Sequence, residues 1–455
     1  MRSSKQTRRA AAVSILAAAV VLAVTSCGTS GGVGGSAPAS QAEVGAGQTV
    51  TLNYWTWFPA ETTLKKSISA FEGANPTIKI KLREFSNTDY QKQLPLALNG
   101  GQDLDVVGVQ ISAMTNAVRT QLRPVTSYAA DLPKDWQDRI NPTMLNQTRQ
   151  IAKDKVLYSV PMGSIGSAIL YANQDLLAKA GIKNLPATQA ELTADIAKIK
   201  SAAPDVDPVV FSGESWWQDE MFFTIAGQQN AKLSDELYTG TAAWDSPRLV
   251  EALTTYQNLF KDGTLDKATL SLKEADANNK FNSGKAAFLV GGSWNSSVLS
   301  ASYRNAGGIS VGDVSAGAFP VVVPGGSPTA RTYAEGGLAI PKSSKYPAQA
   351  AKFIEFMTMD KAGVSTWASD LVLVPSLTGY KLDSSVLASP AAQAGYAEIG
   401  KLIDAGGSGR NAYSTTFTTD VLDNTLLDVA RGTTSPQAAA ASLKSAWESG
   451  RYPVQ

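Results

Sequence analysis

Nine tryptophans and no histidine in 455 residues limit the chemistry open to this chain. Without an imidazole there is no Ser-His-Asp triad, no Cys-His dyad and no His-based metal site. Carboxylate chemistry remains. Glu214 with Asp219 and Glu220, or Asp105 with Glu335, supplies the acid pair a glycosidase needs, although no spacing rule singles these out. The indoles point to binding. A pyranose has apolar C–H faces and a rim of hydroxyls, and it is held by an aromatic platform with carboxylates, amides or Arg around its edge.

Such side chains need a frame, and the hydrophobic pattern supplies one. Val50 to Tyr54 alternates as a strand, and Glu61 to Asn75 places Leu64, Ile68 and Phe71 at helical spacing before Asn75-Pro76 stops it. Ile78 to Leu82 is a second strand, Asp89 to Asn99 a helix, and Asp105 to Val109 a third strand. This βαβαβ order predicts a parallel sheet with helices on both faces. Further on, Val156 to Val160 reads as a strand ended by Pro161, and Ala168 to Tyr171 as another. Asp175 opens a helix that ends at Gly181, and Thr188 with Glu191 forms a capping box. Val209 to Phe211, Ala286 to Val290 and Tyr333 to Pro341 complete the strands, and the chain beyond Pro375 is largely helical.

In an open α/β sheet, ligands bind beyond the carboxyl ends of the strands. The residues expected there are Trp57, Gln110, Gly163-Ser164, Glu214 with Trp216 and Trp217, Trp294, and Glu335-Gly336. Five of the nine tryptophans, Trp55 included, fall in this set. Each one is either a platform or core packing. Trp294 follows Gly291-Gly292 and Trp57 precedes Phe58-Pro59; turns are poor places to bury indole, so both are assigned to the site. Trp55 is assigned to structure, and Trp216 and Trp217 are expected to split one each way. Glu335 precedes two glycines that let backbone approach a ligand, and it reads equally as a solvated loop acid.

Three stretches carry a family resemblance: FEGANPTIKIKL (Phe71 to Leu82), DYQKQLPLALNGGQDLDVV (Asp89 to Val107), and above all FNSGKAAFLVGGSW (Phe281 to Trp294). With Lys155 to Glu191, they resemble the extracellular solute-binding proteins of sugar ABC importers, the maltose-binding-like family, over about Thr49 to Gly450. Relatives usually have Pro where this chain has Leu104. The resemblance implies an α/β periplasmic-binding-protein fold of two discontinuous lobes, 49–162 with 321–370 and 163–320 with 371–455. It implies chain crossings near Pro161, within Phe319 to Gly326 and within Asp370 to Pro375, forming a hinge over a ligand cleft. Gly406 to Arg410 resembles the loop that meets the ligand from the second lobe, which makes Arg410 either a hydroxyl partner or a surface charge. The implied function is capture of a mono- or oligosaccharide by lobe closure and delivery to the transmembrane subunits of an ABC permease, by a monomer, without catalysis or cofactor. A binder of another solute, such as a polyamine, a peptide or a glycerophosphodiester, is the alternative, and an enzyme acting on extracellular polysaccharide a more remote one.

The N-terminus fits that setting. Met1 to Ala10 carries four basic residues and no acid, and Ala11 to Val24 is an apolar run too short to span a bilayer, which together read as a secretory signal over residues 1–26. Val24-Thr25-Ser26-Cys27 resembles a bacterial lipobox, so Cys27, the only cysteine, is the expected lipidated residue and anchor to the cell membrane. Gly28 to Gln48 is a Gly/Ala/Ser tether with a reach of about 25 Å. Without the four leader cations, 36 Lys and Arg face 39 Asp and Glu, a net charge of −3, which argues against nucleic acid as a partner.

Overall fold

The computed structural model describes residues 42–45, 47–387, 389–405 and 415–452. The expected signal, Cys27 and Arg410 lie outside the described residues. Among those residues, no helix is long and apolar enough to cross a membrane.

Among the described residues, ten strands form two sheets. β1 (Val50–Thr56), β2 (Ile78–Glu84) and β3 (Val106–Gln110) pair in parallel, as the βαβαβ pattern predicts. β4 (Val160–Ser167) is the first crossing strand, and β5 (Ile169–Asn173), β6 (Asp207–Phe211), β7 (Ala286–Gly291) and β8 (Val314–Ala318) make the second sheet, in the order β6-β7-β5-β8. β9 (Arg331–Ala339) and β10 (Val374–Pro375) return to the first sheet, whose order is β10-β4-β9-β3-β1-β2. One core gathers Leu52, Tyr54, Phe71, Val106, Phe353 and Trp367 against the first sheet. Another gathers Leu170, Phe211, Phe222, Tyr256 and Phe288 against the second. The helices form where the pattern places them: Glu61–Ala74 buries Leu64 and Phe71, and the capping box of Thr188 and Glu191 opens the helix Gln189–Ala202.

The crossings differ from their expected positions. Val156 to Tyr158 is not a strand; β4 begins at Val160 and continues through Pro161. Proline lacks an N–H and is tolerated in a strand at a bulge, and the register between β4 and β9 shifts between Pro161 and Gly163. The strand passes into the second sheet through one residue, Ala168, at φ 57°. The stretch Phe319 to Gly326 does not cross: Val322 and Val323 pack into the second core, and the Val322 N–H donates to Gln228 Oε1 at 2.8 Å. Residues 321–330 therefore pack with the second sheet, and the return follows β9. Apolar residues beside Pro320 and Pro324 look the same in sequence whether they leave a core or finish it. At the third crossing the helix Lys361–Leu371 runs further than expected, and Val372 turns the chain at φ 54°. Left-handed geometry is rare for a β-branched residue, and here burial in the surrounding core holds it.

Gly163 is where β10 meets β4 most tightly; a Cβ there would lie 2.6 Å from the Val374 carbonyl oxygen. Gly163→Ala is expected to destabilise the protein by about 1–3 kcal/mol, the usual cost of overpacking. The urea midpoint of unfolding checks this.

Candidate functional site

A cavity of about 1050 Å³ is lined from both sheets and from the crossing strands. On the first sheet, Trp57 follows β1 in a turn held by Thr56, whose hydroxyl donates to the Phe58 carbonyl at 2.7 Å. Its indole stacks at 34° on Tyr90 with centroids 5.3 Å apart, and it lies over Gly108 and Gly336, where added Cβ atoms would come within 3.2 Å and 3.3 Å of the ring. Those glycines explain how a turn residue gains a flat seat. At the end of β3, Gln91 Nε2 donates to Gln110 Oε1 at 3.3 Å, and Gln110 Nε2 donates to Glu335 Oε1 at 2.8 Å. This chain orients an amide and a carboxylate along the rim of the cavity.

On the second sheet, Trp216, Trp217 and Trp294 form one cluster. Trp217 is 1% exposed, meets Trp294 edge to face at 5.8 Å, and does not line the cavity, so it belongs to the core and not to the site. Trp216, 37% exposed, does line the cavity, its centroid 6.5 Å from that of Trp294. The helix Ser215–Gly227 decides between the two: adjacent residues point about 100° apart, so one faces the core and the other the opening. Trp294 folds back over Gly292, and its Nε1 donates to Glu274 Oε1 at 2.6 Å. Glu214 Oε2 accepts the Glu274 N–H at 2.9 Å, linking both acids to the platform. Burial raises the Glu274 carboxyl and the nearby Glu214 charge adds to this, while the Trp294 hydrogen bond lowers it; the net shift is upward.

A third group sits where β9 enters the second half. Arg331 is fully buried, paired with Asp219 and 3.6 Å from Glu220. Glu220 also accepts from Ser167 Oγ at 2.6 Å and Tyr333 Oη at 2.8 Å. Burial opposes the guanidinium charge, but the two carboxylates outweigh it and keep Arg331 charged. Asp423, 2% exposed, completes the group; burial first and the charge of Asp219 second push its carboxyl well above the ordinary range.

The cavity thus unites Trp57, Gln110, Glu214, Trp216, Trp294, Glu335 and Gly336. Asp105 stays outside it, buried and accepting from Asn53 N–H and Ser344 Oγ. Gln91, Glu274, Arg331, Thr418, Thr419 and Asp423 line the cavity without having been singled out from sequence. In sequence, Asp219 and Glu220 read only as members of an acid pair with Glu214. Gln91 and Glu274 stand on helix faces that read as ordinary solvated positions. Arg331 stands two residues before the predicted strand Tyr333 to Pro341 and opens the observed β9, where a buried charge needs a partner.

Two α/β halves joined by crossing strands, with an open cavity between them, define a solute-binding architecture. The chain belongs to the bacterial extracellular solute-binding protein family, matched over residues 56–364. A binding protein of Brucella abortus (strain 2308) is 25% identical over 222 residues, covering 49% of this chain and 52% of that protein. The diacetylchitobiose binding protein DasA of Streptomyces coelicolor is 24% identical over 224 residues, 49% of each. The chain thus spans about half the length of the curated relatives it matches. Among solved structures, maltose-bound MalE3 of T. maritima superposes with a TM-score of 0.69 at 20% identity, over 88% of this chain and 99% of that one.

Two outcomes are expected. Gly292→Ala would place a Cβ 2.2 Å from the Trp294 ring and so displace the indole, a change read as a shift in tryptophan emission with the fold retained by circular dichroism. Asp423 binds its proton more tightly folded than unfolded, so it costs stability as pH rises above the ordinary carboxylate value near 4. Asp423→Asn removes that cost; its melting temperature, relative to the native protein, should rise from pH 5 to pH 8.

Proposed function

We propose that this protein captures a mono- or oligosaccharide between two lobes, 49–162 with 331–370 and 163–330 with 371–452, and hands it unaltered to an ABC permease. The carrying observation is the cavity itself: indole faces of Trp57 on one side and of Trp216 and Trp294 on the other, with Gln110, Glu214, Glu274 and Glu335 at the rim. Apolar faces edged by hydrogen-bond acceptors match a sugar ring, and the volume, at the upper end of small-molecule sites, suits more than a single small ion. DasA and MalE3, named for and bound to carbohydrate respectively, support the same ligand class. Binding would favour the closed arrangement because the ligand touches both lobes only there. The buried acids are engaged with Arg331, Ser167 and Tyr333, which favours a binding role over turnover. Cys27 is the proposed lipid anchor, holding the protein outside the cytoplasm at the membrane, as a monomer.

A thermal-shift panel of saccharides tests this reading, since a ligand that binds only the folded state raises the melting temperature by mass action. Trp294→Ala is expected to weaken the best saccharide by at least about tenfold, the scale of losing a central aromatic anchor. A native protein whose melting temperature no saccharide moves would overturn the proposal.

A further inference from the structure

Trp294 is held by a single polar contact. An indole has one donor and no acceptor, and this one gives its N–H to Glu274 Oε1 at 2.6 Å, the short separation that a charged acceptor favours. Burial among rings does not require such a bond. Trp217, in the same cluster, is buried more deeply, yet its Nε1 has no hydrogen-bond partner. Trp294 is only half-buried and borders the cavity with Trp216, so packing is missing on its open side and the tie to Glu274 fixes the ring there.

Glu274 is itself held in place. Its N–H donates to Glu214 Oε2 at 2.9 Å, and the Glu214 N–H donates to Ser212 Oγ at 3.3 Å, which seats the first turn of the helix Glu274–Asn282 against the segment after β6. With Oε1 taken by the indole, Oε2 has no partner among the described residues, and Glu274 lines the cavity. A sugar stacked on an indole carries its hydroxyls around the rim of the stack, and Glu274 stands at the edge of this indole. The described charges around it are few. Glu214 bears on it directly, while Lys273 and Asp276 on its own helix and Lys285 before β7 are exposed. Lys280 is paired with Asp207 of β6, and Asp219 and Glu220 of the helix Ser215–Gly227 are paired with Arg331.

We propose that Glu274 holds the Trp294 platform with one oxygen and receives a ligand hydroxyl with the other, so that this carboxyl couples saccharide binding to pH. The hydroxyl contact rests on the carbohydrate reading given above; the hold on the indole does not. Burial and the Glu214 charge make Glu274 take up a proton above the ordinary carboxylate value near 4. A neutral carboxyl accepts hydrogen bonds more weakly than a carboxylate, so as pH falls through that raised value both the indole and the ligand hydroxyl lose their acceptor. A bound hydroxyl favours the ionised form, so the proton on Glu274 leaves to solvent when the saccharide docks.

Tryptophan emission of the ligand-free protein, titrated from pH 8 to pH 5, tests the hold on the indole. The native protein is expected to show a shift that is absent from Trp294→Phe and from Glu274→Gln, whose amide still accepts from the indole but does not titrate. Glu274→Ala should give the shifted emission throughout, and Glu214→Gln should lower the midpoint. Each variant is checked for a native melting transition. Calorimetry with maltotriose, xylotriose and diacetylchitobiose tests the hydroxyl contact. A saccharide that binds should do so at least about threefold more weakly at pH 5 than at pH 8, with proton release, and Glu274→Gln should bind it equally at both. Equal affinity of the native protein at both values, or an emission shift retained in Glu274→Gln, would overturn the coupling and leave carbohydrate binding intact. An emission shift with no saccharide bound at either pH would remove the carbohydrate and the hydroxyl contact and keep Glu274 as the hold on Trp294.

Discussion

The pairing of β4 with β9 is the constraint on which the rest of the molecule depends. From Val160 opposite Leu338 to Ser167 opposite Arg331, this antiparallel ribbon runs out of the first sheet to the edge of the second. Its backbone pairs along the ribbon, while the N–H groups of Gly166, Arg331 and Ala334 donate to Ser293 Oγ, Thr224 Oγ1 and Gln147 Oε1, so two cores are joined with these polar groups paired. The same ribbon lines the cavity with Gly163, Ser164, Arg331, Glu335 and Gly336. Tight packing at Gly163 and Gly337 keeps neighbouring backbones close enough for this to work; a Cβ on Gly337 would lie 2.8 Å from the Val160 carbonyl oxygen. Ala168 and Val372, both left-handed and buried, mark where the chain bends between the halves. Closure about such positions is a hinge motion in which few backbone angles change and each core moves as a unit.

Within the cleft, two kinds of interaction are kept apart. The indoles of Trp57, Trp216 and Trp294 present apolar faces that would lose little entropy if a ligand stacked on them, because each is already seated on glycine or on another ring. The charged group around Arg331 lies deeper. A buried ion pair is costly to desolvate and adds little net stability. Its place where β4, β9 and the helix Ser215–Gly227 meet ties the orientation of that helix, and so of Trp216, to the crossing strands. Ser293 reinforces the tie, its hydroxyl accepting the Gly166 N–H at 3.0 Å next to Trp294.

Much of the fold could be read from periodicity. β1 to β3 with their helices, the capping box at Thr188 and the turn before Trp294 all rest on local rules, and local rules are written in neighbouring residues. The crossings were harder. Pro161 breaks a strand by every local criterion, and only a bulge opposite β9 admits it; Val322 and Val323 join the second core because Gln228 meets the chain there, 94 residues away from Val322 in sequence. The site shows the same division. Strand ends located Trp57, Gln110 and Trp294, whereas Glu335 lines the cavity from inside β9, and Trp216 and Trp217 could be told apart only by which side of their helix faced the second core.

The sequence by itself determined the class: the absence of histidine removed most hydrolytic chemistry, the βαβαβ run called for a parallel sheet, and tryptophans after strand ends called for an aromatic cleft. Tertiary structure alone decided which charges meet. Asp219, Glu220, Arg331 and Asp423 span more than two hundred positions, and nothing local in any of them signals the others. Backbone preference and hydrophobic period act over a few residues, while electrostatic pairing acts over a few ångströms, and only folding converts one distance into the other.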